Sequence, residues 1–233
     1  YKKNQNEMQR QYSKIFPELP IMNNQKPILF IILGPMGAGK SSFNFKKFGK
    51  DFQAFSIDDD VESLKVYKNK INTILKTIKQ NDVDSINKWK SSITEKMRRN
   101  ASAAYFNVRK YTGISEHKIV RLYNTIFQKH NIMIESTGNT TSNIYDLFEK
   151  SLLPLLEINN YQVYFVNIFS SKNIGFERGI HREYKAFMEN KPVRLIPSYT
   201  KYSTLYENIE LQINKKMKFY KQQSRYKNII KNI

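Results

Sequence analysis

The stretch "FIILGPMGAGKSSF", residues 30–43, limits what this chain can fold into more than any other segment does. Four apolar residues lead into a glycine-rich turn, and the turn leads into Lys40 and Ser41. Glycines let a backbone wrap around an anion with its N–H groups pointing inward, and a helix starting there presents the positive end of its dipole. The eight residues Gly34, Pro35, Met36, Gly37, Ala38, Gly39, Lys40 and Ser41 fit G-x-x-x-x-G-K-[ST] without a mismatch. That pattern holds phosphate only when a strand precedes it and a helix follows it. "PILFIIL" (27–33) reads as the strand, an unbroken apolar run suited to burial on both faces of a parallel sheet. Residues 40–48 read as the helix, stopped by Gly49.

The rest of the chain alternates in the same sense. "FQAFSI" (52–57) is a second short strand that ends at the acids Asp58, Asp59 and Asp60. About seventy residues of helical pattern follow, and then a third strand, "IMIES" (132–136). Ser142 is a candidate cap for a helix through Leu153 that Pro154 stops, and "YQVYFVNIF" (161–169) is a fourth strand. Ser170 or Ser171 can cap a helix over 172–189, a loop holds Pro192 and Pro197, and a last basic helix begins near Thr204. The expected fold class is therefore α/β: a mostly parallel sheet of the P-loop NTPase type, flanked by helices and carrying a long basic helical insertion. Ligands belong at the carboxyl ends of the strands.

With 233 residues, 40% of them hydrophobic, the chain suffices for one domain with a real core and not for two. Cysteine is absent, which excludes disulfides, thiolate catalysis and Cys-type zinc sites. That fits a reducing compartment, so a cytoplasmic location is expected. No run approaches the roughly 18 apolar residues of a membrane span, and no membrane partner is expected. The three histidines, His117, His130 and His181, lie far apart without ligand spacing.

Phosphate chemistry needs more than a loop, because transfer to a hydroxyl takes a base beside the acceptor and cations around the moving group. Within the loop, Lys40 would reach the β- and γ-phosphates of ATP, the Ser41 hydroxyl would complete the coordination of Mg²⁺, and Ser42 follows them at the helix start. Asp58, at the end of the second strand, faces the loop across the acceptor position, whereas Asp59 and Asp60 read as ordinary first-turn acids. Glu135 closes the third strand, a usual place for an acid that holds Mg²⁺ through water. Arg178 and Arg182 are spaced i, i+4 and share one helical face, so they could close over phosphates as a lid; an exposed basic helix is the other reading.

This order resembles the zeta-toxin-like P-loop kinases. The likeness rests on the loop at 34–41, Asp58 after the next strand, an all-helical stretch, "NIMIESTGNT" (131–140), an Arg-bearing helix after the fourth strand, and "NKPVRLIPSY" (190–199) beyond it. It implies ATP-dependent transfer of the γ-phosphoryl group to a hydroxyl of a small molecule such as a nucleotide sugar. Asp58 matches that family's acceptor-side base, Glu135 and Thr137 its strand-end motif, and Arg178 and Arg182 its lid cations. A protein inhibitor is a further partner to consider. Two departures stand out: Asp59 and Asp60 follow Asp58 where the family carries an acceptor-contacting arginine, and "ESTG" replaces Glu-Gly-Thr. The implied organisation is a helical lead-in at 1–26, a kinase-like domain at 27–210 with its insertion at about 61–130, and a basic C-terminal helix at 211–233.

Net charge is +19, with 30 lysines against 9 arginines. A field of that sign attracts nucleic acid, yet lysines scattered over solvated helices give the same sum. Residues 65–130 carry 15 Lys or Arg against 4 Asp or Glu, interleaved with Tyr67, Trp89, Tyr105, Phe106, Tyr111 and Tyr123. The tail from Leu211 onward has seven basic residues and no acid. Basic side chains with aromatics can hold a nucleic-acid strand, but helices over a sheet must also bury a face, and most of those aromatics are expected in the core. Two further readings stay open: a polynucleotide or nucleoside kinase, and a non-catalytic nucleotide-binding module with a structural or nucleic-acid-associated role.

Overall fold

The computed structural model describes residues 26–41, 52–139 and 144–231. The lead-in at 1–25, Ser42 with most of the segment expected to form the helix after the loop, and the candidate cap Ser142 lie outside the described residues. The elements in chain order are β1 (Ile28–Leu33), β2 (Gln53–Phe55), α1 (Ile57–Ser63), α2 (Lys65–Leu75), α3 (Ile86–Ser92), α4 (Glu95–Thr112), α5 (Ile114–Phe127) and β3 (Ile132–Ser136). There follow α6, a composite run over 144–158, then β4 (Gln162–Asn167), α7 (Lys172–Met188), α8 (Tyr199–Gln222), α9 (Ser224–Lys227) and β5 (Ile230–Lys231). Among the described residues no helix is long and apolar enough to cross a membrane.

The five strands form one sheet in the order β2-β3-β1-β4-β5, with every pairing parallel. β1 is central, as its apolar run requires: Leu29, Ile31, Ile32 and Leu33 are fully buried between β3 and β4. The chain goes to one side of β1 for β2 and β3 and to the other for β4 and β5. The carboxyl end of β1 is thus the switch point where such sheets open a crevice, and the loop at 34–41 starts there.

Two cores share the work of burial. One lies against the sheet and joins β1, β3 and β4 to α5, α6, α8 and α9, with Phe148, Phe165 and Tyr220 at its centre. The other joins α1–α5 to α7 and to the extended segment 193–196, around Tyr67, Trp89 and Ile196. Tyr67, Trp89 and Tyr105 are buried in it, whereas Phe106 and Tyr111 of the same insertion are more than half exposed. Capping follows the short polar residues: Ser56, Ser85, Thr94 and Ser171 each accept a bond from a backbone N–H three residues on. Gly113 ends α4 in the left-handed conformation that favours glycine.

Several expectations are corrected. Pro154 does not stop its helix. A π-helical stretch over Leu147–Leu152 widens the turn before it, and Pro154 then stands in the first turn of the segment Leu153–Ile158, where its missing N–H costs little. The last long helix starts at Tyr199 rather than near Thr204 and runs unbroken through residue 210. The tail beyond 211 is also more than one basic helix. Ile213, Met217, Tyr220, Tyr226, Ile229 and Ile230 are buried, and β5 adds a fifth strand that no apolar run of usual strand length announces. Most of the tail's charges are exposed, while Lys216 is half-buried and paired with Glu149 at 2.7 Å.

Candidate active site

The loop from Gly34 to Ser41 turns tightly between β1 and the next helix, which begins at Lys40. Gly37 has φ of 78°, and a Cβ there would stand 2.0 Å from the carbonyl oxygen of Gly175 on α7, so only glycine allows that approach. Tyr202 of α8 donates a 2.6 Å hydrogen bond to the Met36 carbonyl. The loop is therefore clasped from outside by α7 and α8.

Inside the loop, the Lys40 ammonium donates to the carbonyls of Gly34 (2.7 Å) and Pro35 (3.0 Å). Burial pulls its pKa down to about 8 against the raising effect of Glu135 and Asp58. The Ser41 hydroxyl donates to Glu135 at 3.3 Å. Glu135 is the fourth residue of β3, paired in register with Ile32 of β1, which brings its carboxyl to the mouth of the loop. Burial raises its pKa in spite of the nearby Lys40. A hydroxyl and a carboxylate beside a phosphate loop are oxygen donors of the kind Mg²⁺ takes, so the residues fit the metal. Among the described residues no cluster of three or more acids, histidines or cysteines forms a metal site by itself.

Asp58 lies in the first turn of α1, beyond the end of β2. The helix turns the three consecutive acids apart. Asp60 is buried toward the buried Lys118, Asp59 faces solvent, and Asp58 faces a cavity of about 700 Å³. Its carboxylate accepts a 2.6 Å bond from the Tyr105 hydroxyl of α4 and is paired with the Arg194 guanidinium. Burial opposes ionisation, but the charge and hydrogen bond of Arg194 and the bond from Tyr105 outweigh it, and the carboxyl is held at about 2. Arg194 also lies 3.6 Å from Glu62 and 4.7 Å from the centre of the Tyr105 ring. Glu62 is pushed up by burial.

The cavity runs from the loop residues Pro35 and Met36 past Asp58, Glu135 and Thr137 to an outer end at Arg99, Phe106 and Lys201. It joins Asp58, Glu135 and Thr137 in one space. Arg178 and Arg182 lie on α7 outside that space. The guanidinium of Arg178 would be 3.8 Å from a Cβ on Gly39, on the loop side, and the charge of Arg182 reaches Lys40. The site thus has a loop side with cations on a neighbouring helix, and a cavity side with acids.

Arg194, Tyr105 and Glu62 are site residues that sequence reasoning did not single out. A signal existed for Arg194: it interrupts the apolar run "VRLIP", where a charge must have a partner. Tyr105 carried none, being one tyrosine among many.

No protein-family model and no curated protein matches the chain. Solved structures do. A chain of the PezAT chromosomal toxin–antitoxin system of Streptococcus pneumoniae superposes with a TM-score of 0.52 at 16% identity, covering 80% of this chain and 64% of that one. A provisionally assigned kinase of Chloroflexus aurantiacus aligns with a TM-score of 0.35 at 12% identity, over 83% of this chain and 99% of that one. The match spans slightly less than two thirds of the pneumococcal chain. The pneumococcal likeness establishes the fold alone: this chain has an α/β architecture of the P-loop type.

Proposed function

We propose that the chain is a P-loop phosphotransferase that moves the γ-phosphoryl group of ATP to a hydroxyl of a small anionic acceptor such as a nucleotide sugar. One observation carries the reading: the carboxyl of Asp58, paired with Arg194, faces a cavity that begins at a loop of the phosphate-binding pattern. Glu135 would serve the metal, so the second carboxylate, on the cavity side, is the group placed to meet an acceptor hydroxyl. Bound Mg-ATP would supply the transferable group and the cation that offsets its charge. Lys40, the loop N–H groups and Ser41 would hold it, with Glu135 behind the metal.

On the acceptor side, Asp58 would accept the hydrogen bond of the attacking hydroxyl and later its proton. A carboxyl with a pKa of about 2 is a weak base. Phosphoryl transfer passes through a loose transition state, in which the position of the nucleophile matters more than early removal of its proton. Thr137 would bind the acceptor beside Asp58. Arg178 and Arg182 would steady the charge of the transferring group from α7. Aromatic and basic residues at the outer end of the cavity, Phe106, Arg99 and Lys201, suit an acceptor with a ring and an anionic group.

The test is to incubate radiolabelled ATP and Mg²⁺ with separate pools of nucleotide sugars, nucleosides and 5′-hydroxyl oligonucleotides. Label in the first pool is expected. Label only in the oligonucleotides would replace the acceptor class, and no label in any pool, with tight ATP binding intact, would turn the reading to a nucleotide-binding module.

A further inference from the structure

A second polar cluster lies away from the cavity, inside the core that joins the insertion to α7. Glu183 of α7 and Arg98 of α4 form an ion pair at 2.9 Å, with side chains 0% and 8% exposed. Glu183 accepts the backbone N–H of Ile196 at 2.5 Å, and Arg98 donates to the carbonyl of the same Ile196 at 2.6 Å. The second oxygen of Glu183 accepts the indole N–H of Trp89 at 3.1 Å. Both hydrogen-bonding groups of one backbone residue are thus held by one buried pair.

A buried ion pair is often no more stabilising than well-packed apolar side chains, and this face of α7 already presents Ile180 and Phe187. What apolar residues could not do is grip an N–H and a carbonyl in an extended segment that has no strand neighbour. Ile196 stands two residues after Arg194. On the other side of Arg194, the Tyr67 hydroxyl donates to the Val193 carbonyl at 3.3 Å. Gly179 of α7 adds a direct contact, since a Cβ there would come within 2.8 Å of the Ile196 side chain. Arg194 is therefore bracketed, and one bracket is mounted on the helix that carries Arg178 and Arg182.

We infer that Glu183, together with Arg98, is a positioning residue: it holds Arg194 against Asp58 and passes any movement of α7 to that carboxylate. Capture of phosphate by the α7 arginines would then be felt at the acceptor side through Ile196. The consequence for turnover rests on the phosphotransferase reading above; the mechanical link does not.

The experiment follows Asp58 itself, by the ¹³C shift of its carboxyl carbon between pH 6 and 3.5. The groups around it are Arg194 and Tyr105 at contact distance, with Lys40, Asp59, Glu62, Tyr67, Lys118 and Glu135 near enough to exchange charge effects. In the wild type, Asp58 stays ionised throughout that range. Glu183→Gln keeps the size but turns an amide nitrogen toward donors, Trp89 and Arg98, and loosens the grip. With Arg194 released, its charge and hydrogen bond no longer hold the carboxyl down, and the Asp58 midpoint rises toward the ordinary carboxylate value of about 4. Emission of Trp89, the single tryptophan, reports that the grip has changed. The double variant Arg98→Met with Glu183→Leu removes the pair without leaving a lone buried charge, and the same shift is expected from it. Where an acceptor is known, kcat falls roughly tenfold or more with KM for ATP unchanged. A folded variant with altered Trp89 emission, in which Asp58 is still ionised at pH 3.5, overturns the link. If Asp58 shifts but the wild type phosphorylates no pool, the link stands and the phosphotransferase reading falls. If the wild type transfers phosphate and Asp58 does not move in the variants, the phosphotransferase reading stands and the link falls.

Discussion

The two sides of the site are built in opposite ways. On the loop side every group comes from eight consecutive residues, and the backbone does most of the holding: Lys40 is bonded to carbonyls five and six residues before it. On the cavity side the cluster of Asp58, Glu62, Tyr105 and Arg194 draws on α1, α4 and an extended segment beyond α7. Its acids gain a cation and a hydroxyl donor only when three parts of the chain meet. The loop can therefore be read in any sequence that contains it, while the acid–arginine cluster is a property of the packed insertion. A second difference follows. Lys40 is held by neutral carbonyls and remains available to an anion, whereas Asp58 is already paired, so the cavity side must rearrange or share its arginine when an acceptor arrives.

The strongest test of this contrast is Lys40→Ala. It removes the loop's own side-chain cation and should weaken Mg-ATP binding by about 10²-fold or more, the scale of a charge-assisted hydrogen bond. The fold should survive, because burial of that ammonium already works against its charge. Calorimetry on the folded variant decides it, and unchanged affinity would refute the loop's assigned role.

Asp58→Asn probes the other side alone. Transfer should fall by roughly 10² or more while Mg-ATP affinity stays near that of the wild type. Equal losses in both would mean that the two sides are not separable. The comparison with Glu135→Gln sharpens this, since a metal-side acid should weaken Mg²⁺ dependence rather than transfer at saturating metal.

Arg194→Gln asks whether the cavity cluster depends on long-range pairing. It leaves Asp58 and Glu62 without their shared cation, and because both acids are partly exposed a loss of about 1–2 kcal/mol at pH 7 is expected in urea melts. The sign with pH is fixed by the carboxylates. Glu62 is raised already, so without the arginine one acid takes up a proton as pH falls toward 5, and the deficit relative to wild type shrinks. A deficit that grows on acidification would place the cost elsewhere.

The smallest effect concerns Lys40 and pH. Its folded pKa lies near 8, below the ordinary lysine value, and a bound phosphate favours the protonated form. Nucleotide affinity should be level below pH 8 and fall by up to about tenfold per unit above it, with proton uptake on binding. Calorimetry at pH 8.5 in two buffers of different ionisation enthalpy measures that uptake; binding without it would mean that Lys40 is already fully charged in the free protein.

How much of this could be read from residues alone differs between the two sides in the same way. The apolar run before Gly34, the mismatch-free loop pattern and the alternation of strands with helical stretches determined an α/β sheet with a glycine-rich loop at its switch point, because periodicity and glycine chemistry are local. The acids Asp58 and Glu135 were visible as charges at strand ends. Locality also explains what was hidden. Pro154 breaks a helix only if the preceding turn is regular, and a π-helical stretch decided otherwise. The two residues of β5 become a strand only beside β4. Arg194, Glu183 and Arg98 each sit on an apolar stretch or face, where sequence shows a charge out of place but not what answers it. Their charged partners lie 85 to 136 positions away in the chain, at distances where only tertiary packing selects which acid meets which base.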